Sequence, residues 1–214
     1  MLITRHLPGA AGIPPALKHC IDPAGGPPVT LIGDPSLLDR KPVALFCSVQ
    51  CPGDLIIKSY DLARSLRTSP ATFIGGFQSP IEKEFLELLL RRTAARQDQT
   101  ALPSPSVIVS PARGVGTMRV PRAWRQPLDA GRLLLLSIFP DNIRRPTAAT
   151  AARRNACVAA LADRFLVLHA AEGGKTADLC RQALAAGKLV YALDSPANAH
   201  LAALGAQDLS RLAL

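Results

Sequence analysis

A chain of 214 residues, 48% of them hydrophobic, has the length for one large or two small domains and enough apolar mass for a sizeable core. Its net charge is +9, and its longest apolar run, about seven residues around 133–139, is too short to cross a bilayer, so no membrane association is expected. The first residues carry Arg5 and His6 but no apolar segment of a secretion signal, which makes the cytoplasm the expected setting. Cys20, Cys47, Cys51, Cys157 and Cys180 then read as reduced thiols. Cys47 and Cys51 have no second Cys/His pair to complete a zinc site, and neither a metal nor a cofactor is expected.

Taken in order, residues 1–40 are dense in Pro and Gly and read as an irregular lead-in, with a short helix around 16–20 and one apolar piece at 29–32. The folded domain is expected over 41–214. A buried strand at 43–47 leads through a turn to Asp54, which is placed to cap a helix running to about Arg67. A strand at 72–74 is followed by Gly75-Gly76-Phe77-Gln78-Ser79-Pro80. Ser79 starts a helix there, and Glu82 stands three residues on, as in a capping box. A loop over 93–105 precedes a strand at 107–109, and a looser stretch around Trp124 precedes the strand at 133–137. Two Ala-rich helical segments then alternate with strands at 165–168 and 189–193. Strand and helix in alternation predict an α/β fold, a Rossmann-like three-layer sandwich with a mostly parallel central sheet and helices on both faces.

In such a sheet the turns after the strands gather at the carboxyl edge, where ligands bind. Here those turns are 48–53, 75–79, 111–114, 139–147 and 173–176. They are rich in Gly, Ser and Thr, which suits close approach of backbone N–H groups to an anion. Ser79, Thr147 and Thr176 each stand where they cap a helix or bond a phosphate. Between 111 and 154 there are nine arginines against Asp129 and Asp141, so this segment holds +7 of the net +9. Among them Arg113, Arg144, Arg145, Arg153 and Arg154 fall in or next to these turns. Arginine is suited to bidentate phosphate contacts, and this pattern fits a polyanion site as well as ordinary solvated charge in an Arg-rich composition. Phe77, Phe139 and Trp124 are the candidates for base stacking in a chain with 4% aromatic residues.

Other chemistries find no support. Gly174-Lys175-Thr176 is not a P-loop, because His169 stands where the motif needs its first glycine. No G-x-G-x-x-G follows the first strand, which removes the dinucleotide fingerprint. His169 reads as a packed histidine without a triad partner, and no catalytic constellation is seen.

The run Arg153-Arg154-Asn155 leads into a helix, a hydrophobic strand, a Gly-Gly-x-Thr turn, an Ala/Leu helix, Gly187-Lys188 and a closing strand. In order and spacing this resembles the DNA-processing protein A family (DprA/Smf) over about residues 41–205, and Ile74-Gly75-Gly76-Phe77 resembles the family's strand-end Ser-Gly-Leu turn. The resemblance implies a homodimer that binds single-stranded DNA at the carboxyl edge and helps load a RecA-type recombinase during natural transformation. By position it implies that Arg153, Arg154 and Asn155 line the DNA site, with Gly75, Gly76, Gly173, Gly174 and Thr176 as points of close backbone approach. Lys175 adds a phosphate contact on its chemistry alone. Where the family carries Gly-Ser-Arg after the first strand, this chain reads Cys47-Ser48-Val49, and Arg144-Arg145 supply the replacement charge. A rival reading is a nucleotide sensor, or a phosphoribohydrolase of the lysine-decarboxylase-like type built on the same glycine turn. The chain lacks the glutamate that follows that turn in those enzymes.

Overall fold

Runs of Val, Leu, Ile and Phe that are buried on both faces form parallel strands covered by helices on each side. The computed structural model describes residues 3–6, 14–15, 17, 28–91 and 103–212. Its strands are β1 Ile3–His6, β2 Val29–Gly33, β3 Val43–Cys47, β4 Thr72–Gly75, β5 Ser106–Val109, β6 Leu133–Ser137, β7 Arg164–His169, β8 Leu189–Ala192 and β9 Gln207–Asp208. The helices are α1 Gly53–Ser65, α2 Pro80–Leu90, α3 Arg122–Asp129, α4 Ala148–Leu161, α5 Lys175–Ala185 and α6 Ala199–Ala203. One sheet joins the strands in the order β1-β2-β6-β5-β4-β3-β7-β8-β9. From β6 to β9 all neighbours are parallel, while β2 adds to β6, and β1 to β2, in antiparallel register.

Side-chain alternation along each strand divides the core in two. Ala44 and Phe46 face one layer with Val158 of α4, Cys180 of α5 and Leu201 of α6. Val43 and Leu45 face the opposite layer with Leu55 of α1, Phe85 and Leu89 of α2 and Leu128 of α3. The molecule is therefore the expected three-layer sandwich. No helix among the described residues is long and apolar enough to cross a membrane.

Three local expectations change. The Pro/Gly-dense opening is not irregular where it is described. Val29–Gly33 is a sheet strand paired with β6, Ile3–His6 pairs with it in turn, and Pro35–Arg40 forms a 3-10 turn capped by Asp34. Tertiary pairing with the apolar β6 outweighs the local breakers around it. The helix expected around 16–20 and most of the loop at 93–105 lie outside the described residues. Asp54 does not cap α1, whose N-cap is Pro52. The Asp54 carboxylate instead takes a 2.8 Å hydrogen bond from the Ser195 hydroxyl, which holds it below the usual carboxylate range. The stretch around Trp124 is the short helix α3, which spans only eight residues and contains Pro127, a residue that reads as a helix breaker in the sequence.

Leu31 is fully buried in β2. Leu31→Ala is expected to destabilise the protein by about 2–5 kcal/mol, as for a fully buried core leucine. Urea denaturation checks this, and a neutral result would place the opening segment outside the folded unit.

Candidate functional site

The strand order reverses about β3. The chain steps from β3 through β4 and β5 to β6 on one side, and α4 then carries it back across the sheet to β7 on the other. Helices on either side of such a switch point leave on opposite faces, and a crevice opens at the strand carboxyl ends. A cleft of about 400 Å³ lies there. Its walls are residues 46–50 at the end of β3 and just beyond it, Gly76, Gln78, Ser79 and Glu82 of the β4–α2 turn and the first turn of α2, the first turns of α4 with Ala151, Arg154 and Asn155, and Ala171, Lys175 and Thr176 around the start of α5.

Glu82 builds the floor. Besides its part in the capping box with Ser79, its Oε1 accepts a hydrogen bond from the N–H of Cys47 at 2.9 Å. Its Oε2 accepts from the N–H groups of Gln78 at 2.8 Å and Ser79 at 3.1 Å. One buried carboxylate thus ties the end of β3 to the beginning of α2. Burial pushes its pKa up, while the three N–H donors and the charge of Arg154 pull the other way. With both oxygens held by backbone donors, this group orders the cleft and is not poised to shuttle protons.

Arg154 crosses the floor from the other side and is only 5% exposed. Its Nη1 donates to the Ser110 carbonyl at 3.0 Å and its Nη2 to Gln78 Oε1 at 3.4 Å, while its buried Nε has no partner among the described residues. Burial lowers the guanidinium pKa, and the Glu82 charge raises it. The bond to Oε1 leaves the Gln78 amide donors free to turn toward the cleft. The guanidinium lies where a side chain on residue 76 would be, since a Cβ there would sit 1.2 Å from Nη1. Gly76 is required by this packing. Beside it, Phe77 has φ +48°, an uncommon conformation for a bulky residue, and its ring is 5% exposed in the core.

The opposite wall is the turn into α5. Gly173 has φ +67°, the Gly174 N–H bonds the Ala171 carbonyl at 2.9 Å, and α5 starts at Lys175 with Gly174 as an N-cap that offers no side-chain bond. The first N–H groups of α5 therefore lack a cap from their own N-cap residue, and Lys175 is exposed above them. The Ser48 hydroxyl accepts from the Ala171 N–H at 2.9 Å, which locks the turn after β3 onto this one.

The sequence-singled residues separate accordingly. Gly76, Ser79, Arg154, Asn155, Lys175 and Thr176 meet around the cleft, with Gly75 at the end of β4 and Gly173 and Gly174 in the adjoining turn. Ser79 is spent as the cap of α2, and Thr147 caps α4 by accepting from the Thr150 N–H, whereas Thr176 lies inside α5 and is not a cap. Arg153 is exposed and sits 6.0 Å over the Phe139 ring, so it does not line the cleft with Arg154. Arg144 and Arg145 are exposed on the loop between β6 and α4, and Arg113 Nη1 donates to the Arg144 carbonyl at 3.5 Å. Phe77 and Phe139 are buried, at 5% and 2% exposure, and offer no stacking surface in this structure. His169 is packed as expected, with Nδ1 3.0 Å from Asn198 Oδ1. No cluster of three His, Cys, Asp or Glu suited to a metal occurs among the described residues. Sequence reading missed Gln78 and Gln50 as cleft residues and Glu82 as more than a cap. Only the capping spacing signalled Glu82, since its bond to Cys47 joins residues 35 apart.

No protein-family model matches the chain, and no curated protein matches it in sequence. Solved structures do share its architecture. DNA processing protein A (DprA) from Streptococcus pneumoniae aligns with a TM-score of 0.68 and 19% identity, over 94% of this chain and 68% of that one. DNA processing protein A from Helicobacter pylori aligns with a TM-score of 0.70 and 20% identity, over 97% of this chain and 90% of that one. The latter structure concerns that protein's single-stranded DNA binding mode. At these identities the likeness is one of fold, and the chain has the fold of DNA processing protein A, a Rossmann-like α/β sandwich.

Because Gly76 and Arg154 share one space, their substitutions are expected to couple. Gly76→Ala and Arg154→Ala should each lower stability in denaturant unfolding. The double variant should be more stable than the sum of the two losses predicts, by about 0.5 kcal/mol or more. Strict additivity would show that the guanidinium does not occupy the space above residue 76.

Proposed function

We propose that this protein binds single-stranded DNA along the carboxyl edge of its sheet and performs no chemical step on it. The observation that carries this reading is the switch-point cleft, with unsealed N–H groups at the start of α5, Lys175, Asn155 and Gln78 on its walls, and exposed Arg144 and Arg145 on a loop of the same edge. Two proteins of the same fold are DNA processing proteins, one of them studied for binding single strands. A cleft of about 400 Å³ is on the scale of a nucleotide-sized ligand. Phosphates sit against N–H groups and cations while two of the three candidate aromatics, Phe77 and Phe139, are buried, so affinity comes mainly from the backbone and sequence preference is weak. The same reading extends to a cytoplasmic homodimer that hands its strand to a RecA-type recombinase, for which the shared fold is the support.

A second reading follows from the cleft's size: a free nucleotide held as a signal, without hydrolysis. The two differ in salt dependence. A strand contacting several phosphates releases several counterions, whereas one nucleotide gives a shallow slope and saturates a single site.

Fluorescence anisotropy of a labelled oligonucleotide at graded salt tests the proposal. Wild type should bind with a steep negative slope of log affinity against log salt. Arg144→Ala/Arg145→Ala should weaken binding and flatten the slope by about 1.4, at about 0.7 per phosphate contact. Val49, 74% exposed at the cleft mouth, offers the reverse test, because Val49→Arg should tighten binding and steepen the slope by about 0.7. No binding at low salt, or slopes indifferent to these changes, would overturn the reading.

A further inference from the structure

The loop between β6 and α4 carries Arg144 and Arg145, yet three residues before them stands a carboxylate, Asp141, on an edge proposed to attract a polyanion. Coulomb's law alone makes Asp141 a liability there. Its contacts say otherwise. Asp141 Oδ2 accepts from Arg5 Nη2 of β1 at 2.6 Å, and Oδ1 accepts from the Gly116 N–H at 2.8 Å. The neighbouring backbones close on the same point: the Gly114 N–H bonds the Ile143 carbonyl at 2.9 Å, and Ile143 packs onto the core. The space is full. A Cβ on residue 114 would fall 2.6 Å from both Asp141 Cα and the Pro140 carbonyl oxygen. One on residue 116 would fall 2.5 Å from Asp141 Oδ2 and 2.6 Å from Arg5 Nη2. The loop after β5, the loop after β6 and the first strand thus converge on one carboxylate.

We infer that Asp141, clamped between Arg5 and the Gly116 N–H, is a positioning residue that presents Arg144 and Arg145 to the bound anion. The inference rests on the DNA-binding reading and deepens it. The carboxylate's own repulsion of the ligand is small, because Arg5 neutralises it at contact distance and water screens what is left. Its loss removes the two side-chain ties of the loop, to Arg5 and to the Gly116 N–H, and the two arginines must then be ordered at the moment of binding, which weakens affinity. The clamp also gives β1 a function: the strand reaches across the sheet edge to fix a loop more than a hundred residues away in sequence, as the 136-residue separation of Arg5 and Asp141 records.

The sign of one substitution decides the matter. Asp141→Asn makes the protein more positive by one charge, so a mere charge at this place predicts tighter binding to a labelled oligo-dT. The clamp predicts weaker binding, by about threefold or more. That loss should vanish in the Arg144→Ala/Arg145→Ala background, where there are no arginines left to position. Gly116→Ala, which wedges the clamp apart without changing charge, should reproduce the loss and is the second probe should Asp141→Asn fold poorly. Binding that is unchanged or tighter in Asp141→Asn, or a loss equally large in the double-alanine background, overturns the inference while leaving the DNA reading intact. Failure of wild type to bind the oligonucleotide overturns that reading and the inference with it.

Discussion

One buried carboxylate underlies the geometry of the cleft. Glu82 accepts backbone N–H groups from the end of β3 and from the start of α2, two segments that the pairing of β3 with β4 brings side by side and that this carboxylate ties together. A carboxylate taken out of water is costly unless it is hydrogen-bonded, and here three N–H donors repay the loss of hydration. Arg154 contributes a compensating charge within the same low-dielectric region, and its own fork joins α4 to Ser110 after β5 and to Gln78 after β4. Three strand ends and α4 are thereby held in one arrangement by two side chains. The requirement passes down to residue 76, where only glycine leaves room for the guanidinium.

This floor is rigid so that the rim can be adaptable. The groups available to a ligand lie on the walls: Lys175, the N–H groups of the first turn of α5, Asn155, and the amides of Gln78 and Gln50. Both oxygens of Glu82 are engaged by backbone donors, and Arg154 is spent largely inside the protein. On the proposed reading this arrangement serves binding. It also shifts the burden of long-range attraction to exposed cations outside the cleft, above all the arginine loop that Asp141 and Arg5 hold in place.

Much of this was legible in the sequence because the central strands are uniformly apolar and their turns carry glycine. The period of the helices, the capping box of Ser79 and Glu82, and the cap at Thr147 lead to a mostly parallel sheet whose strand-end turns gather at one edge. What stayed hidden was contact across long sequence distances. Val29–Gly33 is a strand because β6 lies beside it, and the surrounding prolines and glycines mask that. Neighbouring arginines on one helix, Arg153 and Arg154, look alike in a sequence. Helical geometry turns them about a hundred degrees apart, so one packs over Phe139 in the open and the other is buried beneath the cleft. Phe77 and Phe139 read as free for bases because nothing in a sequence distinguishes an exposed aromatic at a strand end from a buried one.

On the proposed reading a single strand lies across the switch-point cleft, and hydrogen exchange followed by mass spectrometry, with and without a saturating oligo-dT, reports on that placement. Exchange should slow in residues 47–50, 76–79 and 171–177, the strand-end backbone and first turn of α5 around the cleft, with no change in β8 and β9. Protection confined to other surfaces, with those three segments exchanging as before, would contradict it.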